Sequence, residues 1–386
     1  MQRLVYVDNN ATTQVDPLVF EAMRPLLVDR YGNPSSIHAF GSSVAKDIEQ
    51  AREQMASAIG AEHATEIIFT SSGTESDNTA IRSALASRAG RKRIVISRVE
   101  HPAILTMCRY LEREGITVTQ LPVAVDGTLS LLDLREAMAD DVAVVSLMAA
   151  NNETGVLFPI EEAAAIAHEH GALFHTDAVQ AVGKIALNMK TSNVDMLALS
   201  GHKIHAPKGI GALFVRRGRR FRPFMLGGHQ ERGRRGGTEN VAGIVALGKA
   251  AQLCEQHLTE EQGRVRALRD RLEAGLLQVR GTRVNGHLEK RLPGTTNVSF
   301  KSVEGEAILL HLDEHGICAS SGSACTSGSL EPSHVLRAMG VPFNYAHGSI
   351  RFSLGRFNSA GDVDHILAVM PGIIERLREI SPFKAV

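Results

Sequence analysis

Short runs of apolar, branched residues recur through the first two-thirds of the chain: Glu66–Thr70 (EIIFT), Arg93–Ser97 (RIVIS), Ala143–Met148 (AVVSLM), Ala172–Thr176 (ALFHT), Asp195–Ser200 (DMLALS) and Gly211–Val215 (GALFV). They are apolar at nearly every position, which predicts strands covered on both faces. Helical patterns such as Glu75–Leu85 and Ile160–His170 lie between most of them. Strands alternating with helices predict a mainly parallel sheet between helix layers, an α/β domain.

The pattern changes near Ala242. From there to Val279 the chain reads as one long helical stretch, with Val265, Leu268, Leu272 and Leu276 on one face. Gly281 and the run RLPGTTN (Arg291–Asn297) break it. Strand-like NVSF, helical EGEAILLHL, a small-residue loop and an amphipathic helix near Asp362–Leu377 follow. This tail reads as a smaller α+β domain. The expected division is residues 14–257 for the large α/β domain, and 1–13 with 258–386 for the small one, which carries a loop at 320–331.

Composition narrows the class. The 386 residues hold 42 Lys+Arg and 42 Asp+Glu, a formal net charge of zero, so a dedicated nucleic-acid binder is not expected. No apolar run approaches the ~18 residues of a membrane span. The opening MQRLVYVDNNATT lacks the basic-then-apolar layout of a signal peptide. Cys108, Cys254, Cys318 and Cys325 are scattered without a CxxC, which argues against a disulfide framework or a zinc site. The expectation is a cytoplasmic enzyme.

Two strand ends carry the chemistry. FHTDAVQAVGK (Phe174–Lys184) and DMLALSGHKIHAPKG (Asp195–Gly209) each stop at polar residues, and in parallel sheets such ends form the ligand crevice. Lys203 there can form a Schiff base with an aldehyde, and Asp177 beside it can hold a pyridine nitrogen protonated. That pairing suits pyridoxal phosphate. Taken singly, each has a plainer reading: Lys203 is one of ten lysines, and Asp177 can cap a helix.

EIIFTSSGTESDNTAI (Glu66–Ile81) reads strand, small-residue turn, helix. Ser72, Gly73 and Thr74 fall at the helix N-terminus, where free N–H groups attract phosphate; a simple cap fits the same residues. Ser200 and His202 add donors. His101 opens a helix at another strand end, placed to stack on a flat cofactor and move protons. Asn151, Asn152 and Glu153 end a further strand, where they orient a ligand or form a polar turn. Arg351 is a candidate clamp for a carboxylate, with a surface salt bridge as the alternative.

Cys325 lies in SSGSACTSGSLEPS, a segment with almost nothing to pack around a thiol. An exposed thiol on such a loop can reach a substrate and leave carrying a group. The window Arg216–Arg235 holds eight arginines and one acid, which fits an anion-lined site or a subunit interface.

Taken in order, YVDNNATT, YGNPSS, TSSGTESDN, VEHPA, ANNETG, HTDAVQ, SGHKIHAPKG, GGHQERGRRGGTEN, SSGSACTSGSLEPSHV and SIRFSLGRF closely resemble the cysteine desulfurases. These are pyridoxal-phosphate enzymes of the class V aminotransferase group with fold type I. NNETG and GGHQERGRRGGTEN resemble the nitrogen-fixation (NifS-type) branch. The resemblance implies that Lys203 would hold the cofactor and later take the substrate's α-proton. Asp177 would hold the ring nitrogen, Gln180 and Asn152 would contact the ring's phenolic oxygen and the substrate, and His101 would stack on the ring. Gly73, Thr74, Ser200 and His202 would bind the phosphate, with Thr238 reaching in from the partner of a homodimer. Arg351 and Asn33 would grip the carboxylate of L-cysteine. Cys325 would attack the substrate sulfur and become a persulfide, releasing L-alanine, and the sulfur would pass to an iron–sulfur scaffold protein. A cluster held at Cys325 through that persulfide is a further implication. Ala149 and Ser72 depart from the aromatic residue or cysteine of many relatives, but neither change touches an assigned role.

Two other readings stay open on the residues alone. Another pyridoxal-phosphate enzyme, an aminotransferase or selenocysteine lyase, would keep Lys203 and not need the thiol. A scaffold or sulfur-carrying interaction protein without turnover would keep the fold and not need the Asp177–Lys203 pair.

Overall fold

The computed structural model describes residues 4–321 and 332–381. Its strands are β1 (Val5–Tyr6), β2 (Ile67–Thr70), β3 (Arg93–Ser97), β4 (Thr117–Leu121), β5 (Val142–Ser146), β6 (Leu173–Asp177), β7 (Met196–Ser200), β8 (Gly211–Val215), β9 (Thr282–Asn285), β10 (Thr295–Phe300), β11 (Ile317–Cys318) and β12 (Ser349–Ser353). The helices that shape the cores and the site are α1 (Gly73–Ser87), α2 (Pro102–Arg113), α3 (Val241–Glu260), α4 (Arg266–Leu276), α5 (His334–Ala338) and α6 (Ala360–Ile380).

Seven strands form one sheet in the order β2-β8-β7-β6-β5-β3-β4. Strands β3 to β7 pair in parallel, whereas β8 runs antiparallel to both β2 and β7. It follows that β2 runs the same way as β7. The carboxyl ends of β2, β3, β5, β6 and β7 therefore share one edge of the sheet.

Strict alternation splits each strand between two apolar clusters. Ile67, Phe69, Val95 and Val145 join Phe174, Leu197 and Phe214 in the larger one, against Ala246, Leu247 and Ala250 of α3. Ile68, Ile94, Ile96 and Val144 face the other way, onto Ile81 of α1 and Ile104 and Leu111 of α2. Both faces are dry, so the strands are apolar throughout, as the hydrophobic pattern predicts. Strand β4 (TVTQL) escaped that pattern because it is an edge strand, half-exposed along most of its length.

A separate cluster joins Val298, Phe300, Ile350 and Phe352 of the antiparallel sheet β12-β10-β9 to α4 and α6. The predicted stripe Val265, Leu268, Leu272 and Leu276 is buried in it. The long helix expected over 242–279 is two helices, α3 and α4, joined by a π-turn at Glu261–Val265 that contains Gly263, a weak helix former. The segment after β1 crosses from this cluster to the edge of the large sheet: Ser353 N–H donates to Val7 O at 2.7 Å, and Thr13 N–H donates to His202 O at 2.9 Å. Among the described residues, no helix is long and apolar enough to cross a membrane.

Candidate active site

The shared sheet edge opens into a cavity of about 550 Å³. Strand β6 delivers Asp177 to it, with Gln180 in the turn beyond, and β7 delivers Ser200, His202 and Lys203. The N-terminus of α1 brings Gly73 and Thr74, and the N-cap of α2 is His101 itself. Asn152 comes from the turn after β5, and Arg351 from β12 of the second sheet. These ten residues, all singled out from sequence, line one cavity, and Ser72 and Glu153 join them. Asn33 and Thr238 are exposed and outside the lining; the Asn33 side chain accepts from Ser35 N–H at 2.9 Å. Cys325 lies outside the described residues.

Lys203 Nζ donates to the carbonyl oxygens of Asn10 at 2.6 Å and Ala11 at 2.7 Å. Asp177 Oδ1 accepts from Val179 N–H at 2.9 Å. Burial raises the Asp177 carboxyl, against the pull of His101, the Val179 N–H and Lys203. The cost of burial outweighs that pull. Burial also lowers His101, which keeps its imidazole neutral, and its Nδ1 accepts from Ala103 N–H at 3.1 Å.

The α1 N-terminus is built for close approach. Ser72 caps it, its Oγ accepting from Glu75 N–H at 3.2 Å. A Cβ on Gly73 would lie 2.7 Å from Val179 Cγ2, so only glycine fits there. The N–H groups of the first turn and the helix dipole then favour an anion at this end of the cavity. Burial, helped by the nearby lysines, pushes His202 down to about 4, so it is a neutral hydrogen-bonding group in neutral solution.

Arg351 is only 2% exposed, so the surface salt bridge does not describe it. Its Nη2 pairs with Asp8 Oδ1 at 2.7 Å and its Nη1 donates to Asn152 O at 3.1 Å. Its backbone N–H donates to Ser320 O at 2.6 Å. Pro332, Ser333 and His334 also line the cavity. The two described ends of the segment bearing Cys325 are thus fixed at this site.

Sequence reasoning missed several residues here. Asp77, one turn into α1, lines the cavity, and its Oδ1 has no hydrogen-bond partner. Beneath it lie Glu100 and His175, both fully buried. Lys184 sits behind Lys203, bonded to Gln180 and Asn10. A polar position facing the core side of a predicted helix was the available signal for Asp77; nothing local marked Lys184. The arginine-rich window is mostly internal fastening: Arg219 pairs with Asp195 at 2.5 Å, Arg235 with Glu75 at 2.9 Å, and Glu231 with Arg52 at 2.7 Å.

The model of a family described as aminotransferase class-V matches residues 5–366. The chain belongs to that family. Among its members, "Cysteine desulfurase 2" of Trichormus variabilis (strain ATCC 29413 / PCC 7937) is 60% identical over 381 residues, 98% of this chain and 95% of the relative. "Cysteine desulfurase NifS" of Azotobacter vinelandii is 54% identical over 380 residues, 98% and 94% of the two chains. A solved structure described as "NIFS-LIKE PROTEIN" superposes with a TM-score of 0.91 at 37% identity, covering 98% of this chain and all of that one. Class-V aminotransferases of this kind depend on pyridoxal phosphate. The cavity suits that group: a lysine for its aldehyde, a buried acid for its ring nitrogen, and a helix N-terminus opened by Gly73 for its phosphate.

Proposed function

We infer that this protein is a cysteine desulfurase, which takes sulfur from L-cysteine and leaves L-alanine and a persulfide on Cys325. One observation carries the reading: Lys203 and Asp177 close adjacent parallel strands and share a cavity with the α1 N-terminus and the buried Arg351. Such a set binds an aldehyde, a pyridine nitrogen, a phosphate and a carboxylate at once.

Pyridoxal phosphate, when bound, supplies an electron sink at the substrate α-carbon, which makes the carbon–sulfur bond breakable. The rest falls to the chain. Arg351 binds the cysteine carboxylate, with Asn33 as a second contact. Lys203 takes the α-proton and returns it during release. His101 stacks on the ring and passes protons, while Asn152 and Gln180 orient substrate and ring. Gly73, Thr74, Ser200 and His202 hold the phosphate, and the exposed Thr238 completes that site from the partner of a homodimer. The Cys325 thiolate attacks the substrate sulfur; the new S–S bond forms as the C–S bond breaks, the electron pair goes to carbon, and protonation yields alanine.

The same reading makes residues 14–257 the cofactor-binding domain, and 1–13 with 258–386 the domain that carries the thiol. The persulfide sulfur goes to an iron–sulfur scaffold protein in the cytoplasm, and the Azotobacter relative favours service to nitrogenase. Any cluster at Cys325 is held through its sulfur. The test is incubation with L-cysteine and a reductant, following sulfide and alanine, beside Cys325→Ala and Lys203→Ala. Equal amounts from wild type and none from either variant support the reading. Unchanged sulfur release by Cys325→Ala replaces it with a thiol-independent lyase.

A further inference from the structure

Lys184 has no part in the reaction as drawn, yet it adjoins the residues that do. Its Nζ donates to Gln180 Oε1 at 2.8 Å and to Asn10 Oδ1 at 3.1 Å. Gln180 Nε2 in turn donates to the carbonyl oxygen of Asn10 at 3.0 Å, the oxygen that also accepts from Lys203. Lys184, Gln180 and Asn10 therefore close a ring, with Lys203 attached to it. The Asn10 amide is sorted as well: with Oδ1 given to Lys184, its Nδ2 donates to Thr295 Oγ1 at 2.9 Å and to Asn152 O at 3.2 Å.

A carboxamide has two ends of nearly equal shape, and only its partners decide which way it faces. Lys184 has at least two N–H bonds in either protonation state, enough for both amide oxygens. Gln180 Oε1 is thereby turned to Lys184, and Nε2 keeps one N–H after serving Asn10. Gln180 lines the cavity. The surroundings move the Lys184 amine without undoing this. Burial and then the charge of Lys203 push it down to about 7, with Arg351 adding to the fall, while Glu261 and Cys254 oppose it. The neutral amine still donates twice.

We propose that Lys184 is a positioning residue that fixes the Gln180 carboxamide with its N–H edge towards the cofactor, so that the site accepts a ring oxygen there. The proposal rests on the cofactor reading above. Without Lys184 only the Asn10 carbonyl still holds the amide, and an amide that turns presents an oxygen to the ring oxygen.

The test is pyridoxal phosphate uptake by cofactor-free protein, followed by its visible absorbance. Four chains are compared: wild type, Lys184→Met, Gln180→Leu and the double variant. Lys184→Met binds about tenfold more weakly than wild type, the loss expected for one hydrogen bond at a charged group. In the Gln180→Leu background the same change costs less than about twofold, because the group it acts through is gone. The pH at which the bound cofactor changes colour also moves in Lys184→Met. Equal losses in both backgrounds, or none in either, overturn the proposal. If Lys184→Met does not fold, Lys184→Arg decides: affinity and colour transition close to wild type support the donor role, and a tenfold loss overturns it. Failure of wild type to take up the cofactor overturns the functional reading itself, and is seen separately.

Discussion

Arg351 and Asp8 form an ion pair at 2.7 Å although the arginine is 2% exposed. The partner comes from the segment after β1 and the arginine from β12, so the pair ties that segment to the strand that carries the proposed carboxylate clamp. A buried guanidinium is costly unless its charge is paired, and the pairing also fixes its direction.

The first prediction concerns that pair. Arg351→Ala raises the KM for L-cysteine by roughly ten- to hundredfold, the loss of charge-assisted bonds to a carboxylate, and leaves the cofactor colour in place. Asp8→Asn keeps the guanidinium but loosens its aim, and raises KM by a smaller factor. Steady-state kinetics with absorbance spectra check both. A variant with unchanged KM removes Arg351 from the substrate site.

On the proposed reading Lys203 has two jobs, and one substitution removes both. Lys203→Ala loses the proton-transfer group, and turnover falls by at least ~10²–10⁴-fold. It also loses two bonds to the Asn10–Ala11 backbone. Borohydride then fails to fix the cofactor to the protein, as mass spectrometry reads directly. Retained covalent labelling would move the role to Lys184.

Much of this site was legible because its residues end apolar strands. Asp177, Lys203 and His101 each follow a run that must be a strand, and a sheet with parallel strands gathers such ends on one edge. Gly73 was legible through the strand–turn–helix pattern alone. Asp8, Asn10 and Arg351 were harder, since their meeting depends on a crossing between two cores that no local pattern encodes. Lys184 falls in a turn, four residues past the ordinary glutamine it orients. Cys325 stands out by what its neighbours lack, and its partners lie beyond the described residues.

A third prediction addresses the loop that carries Thr238. Arg52 and Glu231 are both buried, and Glu231 also accepts from Phe69 N–H at 3.0 Å. Glu231 and Arg232 hold positive φ values of 47° and 59°, so the loop keeps a backbone that side chains disfavour. Glu231→Gln leaves Arg52 only the exposed Glu49 as a carboxylate partner, at 3.3 Å, and costs about 3 kcal/mol of stability. Its thermal midpoint should fall by several degrees, with cofactor binding weakened if Thr238 completes a partner's phosphate site. An unchanged midpoint would mean that water or a neighbouring group compensates Arg52.

The last prediction is a pH dependence of stability set by Glu100. Its Oε1 accepts from Ser97 Oγ at 2.6 Å and Met148 N–H at 3.2 Å, while Oε2 has no partner. Burial pushes this carboxyl up to about 8, with Asp177 adding to the rise and the Ser97 and Met148 bonds opposing it. Between about 4.5 and 8 the folded chain therefore holds a proton that the unfolded chain has released, so stability falls as pH rises through that window. Full ionisation costs on the order of 5 kcal/mol by this route. His175, pushed down to about 3 by burial, acts with the opposite sign: its share is lost as pH falls below its ordinary range. Glu100→Gln mimics the neutral acid and removes only the first slope. Melting of wild type and variant at pH 6 and pH 9 should show a smaller drop for the variant, with acid-side behaviour unchanged. Parallel curves would mean that Glu100 keeps an ordinary carboxylate pKa, its burial offset by a cation or water reaching Oε2.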